Sequence, residues 1–244
     1  MRQLSATELL DAWERALAES PPGRALTLLA AATGLERNGL ALLTVGERDR
    51  LLLALRELIF GPRLEALADC PECGERLEMS FEVADVTAEG GAPAAGDELV
   101  LAAEGFEAEF RAPNSLDMLA VARAADVEEA RRALFARCLL AARRGEEEVP
   151  AGLLPEEFLG RVAAAMADAD PQADVELALE CPGCGHGWGE PFDIGSFLWG
   201  ELGAWATRTL GEVHALARAY GWGEREILSM SPWRRQLYLA MVSG

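Results

Sequence analysis

The chain has 244 residues, half of them hydrophobic, and a formal charge of −19 carried against 22 arginines and no lysine. That is enough apolar material for one large core or two smaller ones. No charge-free apolar run approaches the roughly 20 residues of a membrane span, and chemistry that needs a catalytic lysine is excluded. The charge is uneven: residues 1–69 balance to −2, residues 70–193 to −18 and residues 194–244 to +1. An acidic middle repels phosphate backbones, which argues against nucleic acid as a partner and reads as a solubilising face.

In chain order, Ser5 and Glu8 have capping-box spacing and open an amphipathic helix to about Ser20. It has no apolar signal-peptide core and no small-residue cleavage site, so a cytoplasmic protein is expected. Pro21-Pro22-Gly23 closes it, and a second apolar helix runs from Arg24 to about Thr33. Thr44 and Glu47 form a second capping box, opening a helix whose Leu51, Leu52, Leu55, Leu58 and Ile59 keep helical spacing until Gly61 and Pro62. A short helix, "PRLEALAD", then leads into Cys70.

Beyond Cys73 the period changes to two. Leu77, Met79, Phe81 and Val83 alternate with Glu78, Ser80 and Glu82, which predicts a half-buried strand. A Gly/Pro/Ala loop over 88–98 precedes a hairpin, "LVLAA" and "FEAEFRAP", turning at Glu104-Gly105. Two helices follow, "NSLDMLAVARAAD" capped by Asn114 or Ser115, and "VEEARRALFARCLLAAR". After an exposed loop, Pro155 starts another helix. "DVELALEC" alternates again, "GWGEPFDI" is a short strand, and Asp193 caps a long helix to about Tyr220. Two short helices end the chain, the last opened by Pro232.

The strongest motif is a repeat. "CPECG" at 70–74 and "CPGCG" at 181–185 share the pattern Cys-Pro-x-Cys-Gly, and each leads to a strand ending in Phe-x-hydrophobic, "SFEV" and "PFDI". Together Cys70, Cys73, Cys181 and Cys184 supply the thiolate set of a closed structural zinc site, one ion per chain. Proline fixes φ in each tight turn, and glycine after the second cysteine tolerates positive φ. Iron is the alternative metal, since rubredoxin-type sites use the same knuckle. The halves lie 107 residues apart, so the expectation is a split zinc ribbon with residues about 86–174 inserted.

Four thiolates leave the metal no open position, so the site reads as structural, with His186 outside the ligand set. Thiol–disulfide exchange is the competing reading of Cys-Pro-x-Cys, but neither pair opens a helix, where a dipole would lower a thiol pKa. A structural disulfide does not suit a cytoplasmic chain. Cys138 lies on an apolar helical face and reads as core, and His214 as a packed or interface side chain. No phosphate loop, HExxH or GxSxG occurs, so no catalytic residue is assigned. The C-terminal part is rich in aromatic residues. The first reading is a helical core; the second is a protein-binding surface of Trp222, Trp233, Arg234, Arg235 and Tyr238.

The segments "FRAPNSLDMLAVARAAD", "CPGCGHGWGEPFDIGSFLWGEL" and "GEVHALARAYGWGEREILSMSPWRRQLYLAMV", with the first knuckle, are similar to T-even-like phage baseplate proteins or baseplate hub assembly chaperones of contractile tails and contractile injection systems. The resemblance runs from about Leu43 onward and carries no catalytic residues. It implies a non-enzymatic role in building a baseplate, with baseplate, hub or spike proteins as partners and incorporation into a tail-like particle.

The expected architecture is α+β. Helical regions at 1–69 and 194–244 flank a small antiparallel β module at 70–193. Besides the baseplate role, a zinc-ribbon adaptor or regulator of an unrelated complex stays open, with a thiol–disulfide oxidoreductase third.

Overall fold

A computed structural model describes residues 1–243. The chain opens with four helices, α1 (Ala6–Ala16), α2 (Pro21–Thr33), α3 (Arg37–Leu42) and α4 (Val45–Phe60). Both capping boxes form. Ser5 Oγ accepts from the Glu8 N–H at 3.3 Å while the Glu8 carboxylate accepts from the Ser5 N–H at 2.9 Å. Thr44 and Glu47 exchange the same pair of bonds, both at 3.2 Å. Each satisfies amide donors that a helix start otherwise leaves orphaned. The Pro-Pro-Gly stretch opens α2 rather than closing α1, because proline at the first helical position forfeits an N–H that had no partner there.

Residues 63–69, expected as a short helix, are instead strand β1 (Arg63–Asp69), paired antiparallel with β2 (Arg76–Glu82) from Arg63 opposite Glu82 to Asp69 opposite Arg76. The reason is tertiary. The knuckle turn needs two strands to close it, and pairing overrides a weak helical preference. A 3-10 turn (Val83–Val86) leads out of β2. The hairpin β3 (Leu99–Ala103) and β4 (Phe106–Phe110) turns through Glu104 and Gly105 at φ 56° and 81°, the doubly positive geometry that matches strand twist.

Helix α5 (Ser115–Val121) is capped by Asn114, whose side chain accepts from the N–H groups of Leu116 and Asp117. Helix α6 (Val127–Cys138) stops earlier than its periodicity suggests. Its expected last turn is strand β5 (Leu139–Arg144), which covers the free edge of β4 and turns at Gly145 into β6 (Glu147–Glu148). The result is a four-stranded antiparallel sheet, β3-β4-β5-β6, where the sequence suggested one hairpin. Next come α7 (Glu156–Ala169), a 3-10 turn (Pro171–Ala173), and the hairpin β7 (Glu176–Glu180) and β8 (Gly187–Pro191). The chain closes with α8 (Ile194–Tyr220), α9 (Glu224–Leu228) and α10 (Pro232–Ser243). The architecture is α+β, with small antiparallel sheets among helices.

Three apolar clusters hold it. The first gathers Leu26, Leu29, Leu52, Leu55, Leu64, Leu198 and Leu202 from α2, α4, β1 and α8, so the two ends of the chain share a core. Arg56 reinforces that joint: its guanidinium donates twice to Glu201 on α8, at 2.7 and 2.9 Å, and once to the Gly61 carbonyl at 2.6 Å. The second packs α6 and α7 on the four-stranded sheet through Phe110, Phe135, Cys138, Phe158 and Val162. Full burial of one such aromatic or aliphatic side chain contributes about 1.5–3 kcal/mol. The third joins Leu10 of α1 to Ala206, Val213 and Leu216 of α8 and to Ile227 and Leu228 at α9.

Candidate metal centre

The two knuckles fold alike, as their sequences repeat. In the first, Cys70 N–H donates to the Glu75 carbonyl at 2.8 Å and Gly74 N–H to the Cys70 carbonyl at 2.9 Å. In the second, Cys181 N–H donates to the His186 carbonyl at 2.9 Å and Gly185 N–H to the Cys181 carbonyl at 2.8 Å. Gly74 and Gly185 both sit at φ 74°, where a side chain would strain the backbone. Each turn is held by its own hairpin, β1-β2 or β7-β8, so the thiols are positioned by strand pairing rather than by a loop.

The strand ends complete the match. Phe81 and Phe192, the aromatic residues of the two Phe-x-hydrophobic steps, meet edge to face at 5.8 Å between centroids, and Phe192 packs on Phe197 of α8 at 5.6 Å. The hairpins therefore converge at both ends, cysteines at one and phenylalanines at the other.

All four sulfurs lie within 4.8 Å of one another. Cys70 Sγ is 3.7 Å from Cys184 Sγ, and Cys73 Sγ is 3.6 Å from Cys181 Sγ. A tetrahedral site with metal–sulfur bonds of about 2.3 Å requires sulfur edges of about 3.8 Å, so the donor set has the right spacing for one zinc-sized ion. The same distances are far beyond a disulfide bond, and all five cysteines are free. Cys70 and Cys181 are buried; Cys73 and Cys184 are exposed.

Packing four thiols together without a cation sets their protons in conflict. Burial disfavours the Cys70 thiolate, but backbone N–H groups of Cys73 and Glu72, with neighbouring thiols, outweigh it and bring Cys70 to about 7. At Cys73 the Glu75 N–H favours the thiolate, yet the surrounding Cys184, Cys181 and Cys70 push it up to about 12. Cys184 is also raised, against the help of the His186 N–H. A divalent cation removes this conflict by deprotonating its ligands outright. No thiol stands at a helix N-terminus, so the geometry lacks the device that activates an exchanging cysteine. His186 is half-buried and stacks on Trp188 at 6.1 Å.

The C-terminal aromatic and basic residues do not form one patch. Trp222 stacks on Tyr220 at 4.5 Å and meets Tyr238 at 4.9 Å, with Trp222 and Tyr238 packed against the third core. Arg235 is 3% exposed; it donates to Glu212 of α8 at 2.9 Å and to the Met230 carbonyl at 2.9 Å. Trp233, by contrast, is 70% exposed, and Arg234 beside it is exposed too. Leu237 and Met241, at helical spacing from Trp233, extend the exposed apolar stripe.

Two buried polar arrangements escape sequence reading. Asp117 is fully buried and accepts from Arg111 at 2.6 and 3.0 Å and from Arg137 at 2.8 Å. Burial opposes its charge, but the paired Arg111, the Asn114 N–H and Arg137 hold its carboxyl below the ordinary range. Asn114-x-x-Asp117 has capping-box spacing, which signals a local role only; nothing in the sequence links Asp117 to Arg137. Near the α4 start, Asp170 Oδ2 accepts from the Gly46 N–H at 2.8 Å, and the carboxylate occupies the space a side chain at Gly46 would need. Neighbouring Asp49 is buried beside Arg48, and burial, outweighing that arginine, raises it to about 6.

Among known protein families, the one described as "T4 bacteriophage base plate protein" matches residues 25–199. That span holds both knuckles, the four-stranded sheet and the start of α8, and ends before the C-terminal segment on which the sequence resemblance partly rested. Neither the curated proteins nor the solved structures searched gave a match.

Proposed function

Since the chain belongs to the T4 bacteriophage base plate protein family, we propose that it is a non-enzymatic structural or assembly protein of a contractile-tail baseplate, stapled by one zinc ion. The family membership carries the role, and the four converging sulfurs support the staple. Cys70, Cys73, Cys181 and Cys184 would hold the ion as four thiolates. The ion then supplies cohesion between two hairpins rather than reactivity, because a closed four-sulfur shell offers a substrate no place to bind. In this reading the β module is a split ribbon that takes in β1 and carries residues about 86–174 as an insertion between the helical regions. A dithiol oxidoreductase finds no support in this geometry, and an adaptor of an unrelated machine does not fit the family.

Function resides in surfaces. The exposed side of α10, with Trp233 and Arg234, is the proposed contact surface for baseplate, hub or spike proteins, whereas Trp222, Arg235 and Tyr238 hold that helix in place. Among the described residues no helix is long and apolar enough to cross a membrane. Co-expression with each tail component encoded beside it, followed by size-exclusion chromatography, tests the role. A stable complex with a baseplate, hub or spike component is expected; failure of every such component to co-elute overturns it. Recovery of the chain in purified particles separates a resident subunit from an assembly factor.

A further inference from the structure

A cavity of about 320 Å³ opens between α6, α7 and the 3-10 turn at 171–173. Its walls are mainly apolar, formed by Leu134, Phe135, Ala163 and Met166, with Arg131, Asp170 and Asp174 also among its lining residues. Asp170 is buried, and its carboxylate packs against Gly46. The volume is at the lower limit of ligand pockets. That suits a single large side chain better than a cofactor.

The chain presents such a group elsewhere on its own surface. Trp233 combines a large apolar body with one N–H donor, and it is 70% exposed, so it does not fill this cavity within its own molecule. Arg234 follows it. Residues 232–243 contain two arginines and no acid, and Arg235 is already paired with Glu212. The rest of the chain is strongly acidic, residues 70–193 carrying a balance of −18. Charge therefore favours α10 of one copy against the body of another, and disfavours body against body.

We propose that Trp233 of one copy docks in the Leu134/Phe135/Ala163/Met166 cavity of a second copy, with Arg234 facing Asp174. This rests on the reading of α10 as a contact surface and names the occupant of one such contact. The two surfaces are different, so the contact is head-to-tail and repeats from copy to copy, closing into a ring or extending as a chain. The key also lies outside the family span of 25–199 while the cavity lies inside it. One buried tryptophan covers about 150–250 Å², well below the roughly 1,200 Å² of a stable interface. The contact is accordingly weak in solution, with a dissociation constant of about 10–100 µM.

Sedimentation velocity of the metal-loaded full chain from about 1 to about 500 µM tests it. The weight-average sedimentation coefficient rises with concentration. Trp233→Ala removes the key and Ala163→Trp fills the cavity; both positions are exposed, and circular dichroism of each variant matches the parent. Each variant weakens association by at least about tenfold. Mixed in equal amounts they form a dimer that grows no further, because only one key and one cavity remain between them. A chain that stays monomeric throughout, association untouched by Trp233→Ala, or failure of the two variants to complement overturns the proposal. If Trp233→Ala weakens binding of a baseplate component while the parent is monomeric, α10 stands as a contact surface and its occupant is not a second copy.

Discussion

Replacing Cys184 by serine isolates the contribution of the metal. Cys184 is exposed, so the change opens no cavity in a core and removes one thiolate from the set. Its effect follows from chain connectivity. In the proposed zinc-bound form the ion would bridge β1-β2 to β7-β8 across the 107 residues between Cys73 and Cys181. Treated as a cross-link, a loop of this length restricts the unfolded chain by about 4.7 kcal/mol. Unfolding entropy of about 2.1 cal/mol/K per residue over the 244 residues gives about 0.5 kcal/mol/K. Loss of the staple therefore lowers the melting temperature by about 9 °C, before any direct binding energy is added. The assay is differential scanning calorimetry with metal analysis on the same samples. The parent carries about one zinc per chain; Cys184→Ser carries far less and melts lower; a strong chelator brings the parent down to the variant. Cys138→Ser, which lies in the second core and outside the sulfur cluster, keeps its metal. A parent that is folded and metal-free, or a melting temperature moved by neither chelation nor Cys184→Ser, refutes the reasoning.

Asp117→Asn leaves Arg111 and Arg137 facing a neutral group in a buried setting, and urea unfolding should show a loss of about 3 kcal/mol or more; an unchanged midpoint would show that the pair network contributes nothing. Because the folded Asp117 carboxyl is held below its usual value, its contribution is present above about pH 4 and is lost as pH falls through the depressed value, which the parent's acid limb should show and the variant's should not. Asp49 runs the opposite way. Its folded value is raised to about 6 from 3.8, so the native state holds a proton the unfolded state releases, and stability declines as pH rises from about 4 through 6. Carboxyl carbon NMR should place the Asp49 midpoint near 6, and an ordinary acidic midpoint would remove this effect. Gly46→Ala drives a methyl into the Asp170 carboxylate and should cost about 1–3 kcal/mol by thermal unfolding despite alanine's better helix propensity.

Local physics explains which parts of the molecule could be read from the sequence. Ser5/Glu8, Thr44/Glu47, Asn114 and Asp193 announce helix starts because a cap is a contact within one turn. Glu104-Gly105 announces a hairpin because positive φ at both turn positions is a property of those two residues. The knuckles repeat a five-residue pattern whose backbone bonds close on themselves, so matching sequences yield matching turns, and the pairing of Cys70 and Cys73 with Cys181 and Cys184 follows from their number and type.

What the chain does at long range was decided by packing. Residues 63–69 and 139–144 are short apolar stretches that suit either helix or strand, and they became strands because β2 and β4 offered edges to pair with. Arg234 and Arg235 are chemically identical neighbours, yet one faces solvent and the other is buried against Glu212, because a helix turns by about 100° per residue and only the docking of α10 on α8 fixes which side is inward. The Asp117 network and the Asp170–Gly46 contact join residues 20 and 124 positions apart, and no periodicity encodes such a meeting. The sequence by itself determined the cysteine knuckles, the caps and the turns, since these are short-range bonds. The folded chain alone decided where buried charge is neutralised and which aromatic side chains remain available to a partner, since both depend on surfaces that exist only after distant elements have packed.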